Sequence, residues 1–174
     1  GENIASVLAF MERQAPEDKA LVEDYLKLVV PSVQGVERTG VGHMETLVFR
    51  QDIAGSKQPW RFPANSMSDG TLRALGILVA LYQGGGSGRP SVVGIEEPEV
   101  ALHPAAAAVV RDALTRAATR SQILVTSHSP ELLDDASVAP SAPDASLAPR
   151  AEVTPHAPAA TQEHDAPEES SAAT

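Results

Sequence analysis

Apolar residues recur at helical spacing twice before residue 30, first as Ile4, Val7, Leu8 and Met11, then as Leu21, Val22, Tyr25, Leu26 and Val29. Each set falls on one face of a 3.6-residue helix, which predicts helices over residues 3–13 and 16–30. Pro16 suits the first turn of the second helix, with Glu17 and Asp18 behind it at the positive end of the dipole, and Pro31 stops it. The pattern then alternates. Leu47 and Phe49 interleave with Glu45 and Gln51, so residues 33–37 and 44–51 read as a strand pair joined by a glycine-containing turn. Residues 58–63 read as an irregular connection. Helical spacing returns at Leu72, Leu75, Ile77, Leu78, Val79 and Leu81, predicting a third helix from Ser68 or Asp69 to about Tyr82. Ser68 is placed to cap it, and residues 84–88 form a glycine-rich breaker.

The next apolar runs are short. Residues 91–95 and 122–126 each read as a parallel strand buried on both faces, and an alanine-rich helix from Pro104 to about Thr119 joins them. Ser129 and Pro130 open a last helical turn. Helix, strand, helix, strand in this order is the signature of a parallel α/β unit. Beyond Asp135 the periodicity stops. Residues 136–174 are Ala, Pro, Ser and acids, too poor in apolar surface to offset their ordering entropy, so they are expected to be disordered. No internal repeat is present.

Composition sharpens this picture. The 174 residues suffice for one domain with a core, and with aromatics at 3% that core must be aliphatic. The absence of Cys excludes disulfides and zinc-thiolate sites and fits a cytoplasmic setting. No apolar run reaches membrane-spanning length, and the first residues lack the order of a secretory signal. The chain begins with Gly rather than Met, consistent with a start inside a longer protein. The net charge of −10 is concentrated after residue 133; residues 1–133 hold fifteen acids against twelve Lys and Arg. A nearly neutral folded part lacks the basic footprint of a self-sufficient nucleic-acid binder.

Candidate chemistry gathers at three places. Glu96 and Glu97 leave the end of the 91–95 strand, where ligand sites of open α/β sheets lie. One acid there can hold a metal ion while the other handles water, although a solvated acidic loop has the same sequence. The segment Ser68, Asp69, Gly70, Thr71 combines a hydroxyl, a glycine and free backbone donors at a helix start. That suits an anion as well as it suits an ordinary capped helix. His128 follows the 122–126 strand. If the two strands are parallel neighbours, Glu97 and His128 share one sheet edge.

Together these segments resemble the C-terminal half of an ABC-type ATPase head, and more closely the RecF-like, OLD-family and chromosome-maintenance group of AAA-family ATP-binding proteins. Residues 67–71 look like the signature motif in an SDGT form, residues 91–97 like a Walker B strand, residues 99–104 like a D-loop of PE…LHP type, and residues 126–133 like the switch-histidine segment. The resemblance covers roughly residues 1–135. It implies an α/β fold: a partial P-loop NTPase sheet with flanking helices, lacking the N-terminal P-loop lobe. It implies ATP and Mg²⁺ as cofactors. By it Glu97 is the catalytic carboxylate, Glu96 faces Mg²⁺, His128 contacts the γ-phosphate, and Ser68, Asp69, Gly70 and Thr71 meet nucleotide bound by a second ATPase head. Leu102, His103 and Pro104 would line the dimer seam. Glu96 stands where the family usually has Asp, which alters the reach to the metal.

The sequence contains no G-x-x-x-x-G-K-[ST] motif, so this chain alone is expected to bind ATP weakly or not at all, with the P-loop lobe preceding Gly1 in a complete relative. Two other readings remain. One is a non-catalytic module that docks on an intact head. The other is a metal-dependent nuclease built on Glu96, Glu97 and Glu99. DNA would be met through the assembled protein, and no membrane is implied. His43, His156 and His164 read as exposed, Glu17, Asp18, Glu23 and Asp24 as a solvated helix face, and Arg111, Arg116 and Arg120 as surface charge.

Overall fold

The computed structural model describes residues 3–42, 44–84 and 88–133. All of them lie in one compact unit, residues 1–139; the second unit, 140–174, is outside the described residues, as are His43, His156, His164 and the expected tail. Helix α1 (Ile4–Gln14) and helix α2 (Pro16–Val29) come first, with Pro16 at the start of α2. Three strands follow: β1 (Val33–Val41), β2 (Met44–Gln51) and β3 (Trp60–Pro63). Helix α3 (Asp69–Tyr82) leads to β4 (Val92–Glu96), helix α4 (Pro104–Ala118), β5 (Gln122–Thr126) and the short α5 (Pro130–Leu133).

The strands form two separate sheets. One is antiparallel in the order β1-β2-β3; the other is the parallel pair β4-β5. Two parallel strands need a long crossover, and α4 supplies it. The core lies between the helices and the two sheets. Leu8 and Met11 of α1, Val22 and Leu26 of α2, Phe49 of β2, and Leu75 and Leu78 of α3 are all buried to 1% exposure or less. Each such side chain contributes roughly 1.5–3 kcal/mol by leaving water. Tyr25 and Tyr82 stack at 5.9 Å between ring centres, and the Tyr82 hydroxyl donates to the Ala113 carbonyl at 3.0 Å, tying α3 to α4.

Four expectations need correction. Residues 60–63 are a strand, not irregular: they pair with β2 from Val48↔Pro63 to Gln51↔Trp60, a long-range pairing that a four-residue segment does not announce. Strand β1 extends to Val41, four residues past the alternating stretch, because it follows β2 along its full length. Neither β4 nor β5 is buried on both faces. Val93 is covered, yet Val92 is 48% exposed, Leu124 56% and Val125 40%. Among the described residues the sheet has two strands, and nothing covers Val92 and Leu124 on the face away from Val93 and Ile123, while Val125 on the core side is only partly covered. Finally, the acidic surface of α2 is not all solvated. Asp18 is buried and accepts from Arg120 at 2.7 Å and Arg89 at 3.5 Å, while Glu23 accepts from the Val36 backbone N–H at 3.0 Å. Arg120 is therefore an ion-pair partner rather than free surface charge.

Candidate active site at the ends of the parallel strands

The acid-bearing turn grows directly out of β4. The ladder continues one step past the strand, with the Glu97 N–H donating to the Thr126 carbonyl at 2.8 Å. The chain then reverses in two tight turns, closed by Val100 N–H to the Glu97 carbonyl at 3.1 Å and Leu102 N–H to the Glu99 carbonyl at 3.0 Å. Both turns use left-handed backbone at residues that are not glycine: Glu97 has φ +44° and Ala101 φ +64°. Such a conformation costs on the order of 1–2 kcal/mol per residue and persists only where its surroundings enforce it. Pro98, buried, stiffens the bend between them.

The neighbouring strand supplies the imidazole. Register pairs Glu96 with Thr126, and two residues beyond Thr126 the His128 Nε2 lies 3.7 Å from the Glu97 Oε1. Both groups face water, the His128 side chain at 91% exposure and Glu97 at 48%, so their attraction adds little stability. They are available to a ligand instead. An open cleft of about 570 Å³ lies here, lined by Arg73, Glu96, Glu97, Val100 and Thr126. A second cleft of about 490 Å³, lined by Val7, Phe10, Gln83 and Pro90 among others, has no ionisable side chain on its walls among the described residues.

Glu99 does different work from the two acids before it. Its Oε1 accepts from the Ser127 hydroxyl at 2.8 Å and from the His128 backbone N–H at 3.0 Å. It thereby straps the loop after β4 to the loop after β5. Burial pushes its pKa up, but hydrogen bonds from its own backbone N–H, the Ser127 hydroxyl and the backbone N–H groups of His128 and Ser129 outweigh that and hold it below the usual glutamate range. Glu99 thus turns toward residues 127–129 rather than joining Glu96 and Glu97. Among the described residues no group of three or more His, Cys, Asp or Glu side chains could hold a metal ion.

The start of α3 abuts the same loop from the other side. Ser68 caps the helix: its Oγ accepts from the Thr71 N–H at 3.2 Å and lies 2.8 Å from the buried Thr71 hydroxyl. The backbone donors of Asp69 and Gly70 are then the first without an intrahelical acceptor. Gly70 is required for close approach, because a Cβ there would collide with the Ala101 carbonyl oxygen. One turn later Arg73 reaches across and its Nη2 donates to the Glu96 carbonyl at 2.9 Å and the Glu97 carbonyl at 2.6 Å.

The structure sets Glu96 and Glu97 on the wall of one cleft and brings His128, which is not on that wall, to 3.7 Å from Glu97. It sets Ser68, Asp69, Gly70 and Thr71 apart from that cleft, joined to it through Gly70 against Ala101. His103 caps α4 through its Nδ1, which accepts from the Ala105 N–H at 3.3 Å. Arg73 was not legible as a site residue, since nothing in its helical position marks it. Glu99 was visible in the acid run, but its partners lie 28 and 29 residues away.

The family profile described as "AAA domain, putative AbiEii toxin, Type IV TA system" matches residues 36–134, more than half of the chain. The chain belongs to this AAA-domain family. Membership supports an ATPase-type, nucleotide-binding function. No curated protein matches the sequence. Among solved structures the chain is similar to a head from work on ATP-driven dimerisation and DNA-stimulated activation of SMC ATPases, with TM-score 0.51, 14% identity, and 72% of this chain and 74% of that one covered. It is also similar to an SMC head bound to the C-terminal winged-helix domain of ScpA, with TM-score 0.53, 11% identity and coverage of 76% and 42%. An SMC head with an extended coiled coil, bound to the C-terminal domain of ScpA and derived from Pyrococcus furiosus, gives TM-score 0.50, 12% identity and coverage of 73% and 32%. The chain thus spans less than half the length of the last two. At these identities the likeness concerns the fold, and the fold of this AAA-family chain is that of an SMC-type, P-loop NTPase head.

Proposed function

We propose that the chain, over residues 1–135, is the carboxylate-bearing half of an ATP-hydrolysing head whose phosphate-cradling lobe is supplied by another segment or chain. The observation that carries this is the placement of the Glu97 carboxylate 3.7 Å from the His128 imidazole at the common ends of two parallel strands, beside an open polar cleft. Glu97 orients the attacking water or accepts its proton. His128, almost fully exposed, reaches the terminal phosphate and hydrogen-bonds its oxygen. Glu96, Glu97 and the Thr126 hydroxyl are hard oxygen donors on one wall, the donor set that Mg²⁺ takes. When bound, the ion neutralises charge on the transferred phosphoryl group. Ser68, Gly70 and the first backbone donors of α3 meet the phosphate of nucleotide carried by a second head, Thr71 holding the Ser68 hydroxyl in place. Asp69 adds a negative charge there that an incoming phosphate must face. The SDGT and PE…LHP forms favour the RecF-like and OLD branch. DNA is met through the assembled protein, as for the SMC heads in whose structures DNA stimulation is described. No helix among the described residues is long and apolar enough to cross a membrane, and the cysteine-free composition fits the proposed cytoplasmic setting.

The test is ATP turnover by the chain joined to a P-loop lobe. Turnover is expected to fall by 10² or more in Glu97→Gln, with ATP still bound. Equal turnover in a folded and assembled Glu97→Gln protein would remove Glu97 from the mechanism. A second reading, a docking module without its own chemistry, is supported by the exposure of Val92 and Leu124 on β4 and β5 among the described residues. It predicts that the chain binds an intact head while Glu97→Gln has no effect on that head's turnover.

A further inference from the structure

We infer that Arg73 is a positioning residue that holds the Glu97 carboxylate in place and couples it to the start of α3. This rests on the reading of Glu97 as the water-orienting group. The guanidinium spans two elements far apart in sequence. Its Nη2 donates to two successive carbonyls, those of Glu96 at 2.9 Å and Glu97 at 2.6 Å. Those carbonyls belong to the two successive peptides on either side of the Glu97 Cα, the backbone from which the Glu97 side chain projects. Glu97 sits at φ +44°, which a glutamate leaves unless held. A charged donor on the Glu97 carbonyl, shared with the Val100 N–H at 3.1 Å, provides the restraint. The Arg73 Nε–H is sealed from solvent and finds no partner among the described residues, so the side chain has been drawn into this corner against its own desolvation.

The same helix touches the loop at a second point. Gly70 abuts the Ala101 carbonyl so closely that no Cβ fits, and Ala101 is the other left-handed residue. Helix α3 therefore grips the 96–101 loop at both of its strained positions. A displacement of the helix start, where Ser68 and Gly70 stand, is passed through Arg73 to the Glu97 peptide. What happens at the α3 surface thereby reaches the acid of the chain's own cleft.

The experiment uses the full chain without nucleotide. Amide hydrogen exchange by NMR follows the Glu97 N–H, bonded to Thr126, and the Val100 N–H, bonded to Glu97, with amides of α4 as internal reference. Arg73→Ala is expected to lower protection at Glu97 and Val100 by at least about tenfold while α4 is unchanged. Arg73→Lys, which keeps one charged donor, is expected to recover part of it. The double variant Arg73→Ala with Glu97→Gly is expected to restore it, since glycine occupies the left-handed region at little cost. A residue that merely stabilised α3 would not be rescued by a change at 97. Unchanged protection in Arg73→Ala, or loss spread evenly over α4, overturns the inference. In the assembled head, Arg73→Ala should lower kcat with little change in the KM for ATP. If Glu97→Gln turns over normally while the exchange pattern holds, the ATPase reading fails and the positioning role stands.

Discussion

Glu99 joins two loops through a single oxygen, and its charge state decides whether the joint holds. The carboxylate accepts from the Ser127 hydroxyl and the His128 N–H, and its pKa lies below the usual range. The unfolded chain binds the proton more readily than the folded one does. The strap is therefore at full strength above the ordinary glutamate pKa and is lost as pH falls through the lower, folded value. Denaturant midpoints of wild type and Glu99→Gln, compared from pH 7 downward, isolate this group from the other acids. Glu99→Gln keeps an acceptor oxygen and should lose under about 1 kcal/mol at pH 7, the gap closing as the wild-type group protonates. Glu99→Ala strands two donors and should lose about 1–3 kcal/mol at pH 7. A gap between wild type and Glu99→Gln that widens on acidification would show that the carboxylate is not the partner these donors need.

At the level of elements, helix α3 offers a matched pair of glycines. Gly70 has no room for a Cβ, because the Ala101 carbonyl oxygen occupies it, whereas Gly76 has nothing within 4 Å. Gly70→Ala is expected to destabilise by about 1–3 kcal/mol by wedging the helix off the loop. Gly76→Ala is expected to stabilise by up to about 1 kcal/mol, since alanine is the better helix former. Thermal melts of the two variants check both signs at once. The helices themselves were legible because each carries its own evidence: Pro16 and Ser68 at the starts, and apolar residues three and four apart. The shared edge of Glu97 and His128 was also legible, since parallel strands joined by one helix end on the same side. What escaped was non-local. Strand β3 exists only through its pairing with β2, Asp18 is buried only because Arg120 comes from 102 residues away, and Arg73 finds its carbonyls 23 and 24 residues on. Local periodicity carries no term for such partners.

For the whole molecule the unresolved force is on the β4-β5 pair. An apolar run in a parallel strand is written for cover on both faces. Here Val93, Ile95 and Ile123 face the core while Val92 and Leu124 face water. Among the described residues nothing covers Val92 and Leu124, and exposed apolar surface of this kind suits a contact with another segment or chain. If its cover is the lobe that cradles the triphosphate, substitution there must separate folding from assembly. Leu124→Lys puts a charge on a side chain already 56% exposed, so the chain's own denaturation midpoint should move by no more than about 0.5 kcal/mol. The same change should abolish ATP hydrolysis restored by an added P-loop lobe, because a lysine ammonium has no partner inside that contact. Leu75→Lys, at a position fully buried, should instead prevent folding outright. Turnover with the lobe that is insensitive to Leu124→Lys would mean the two halves meet elsewhere, by an open strand edge rather than across the Val92 and Leu124 face.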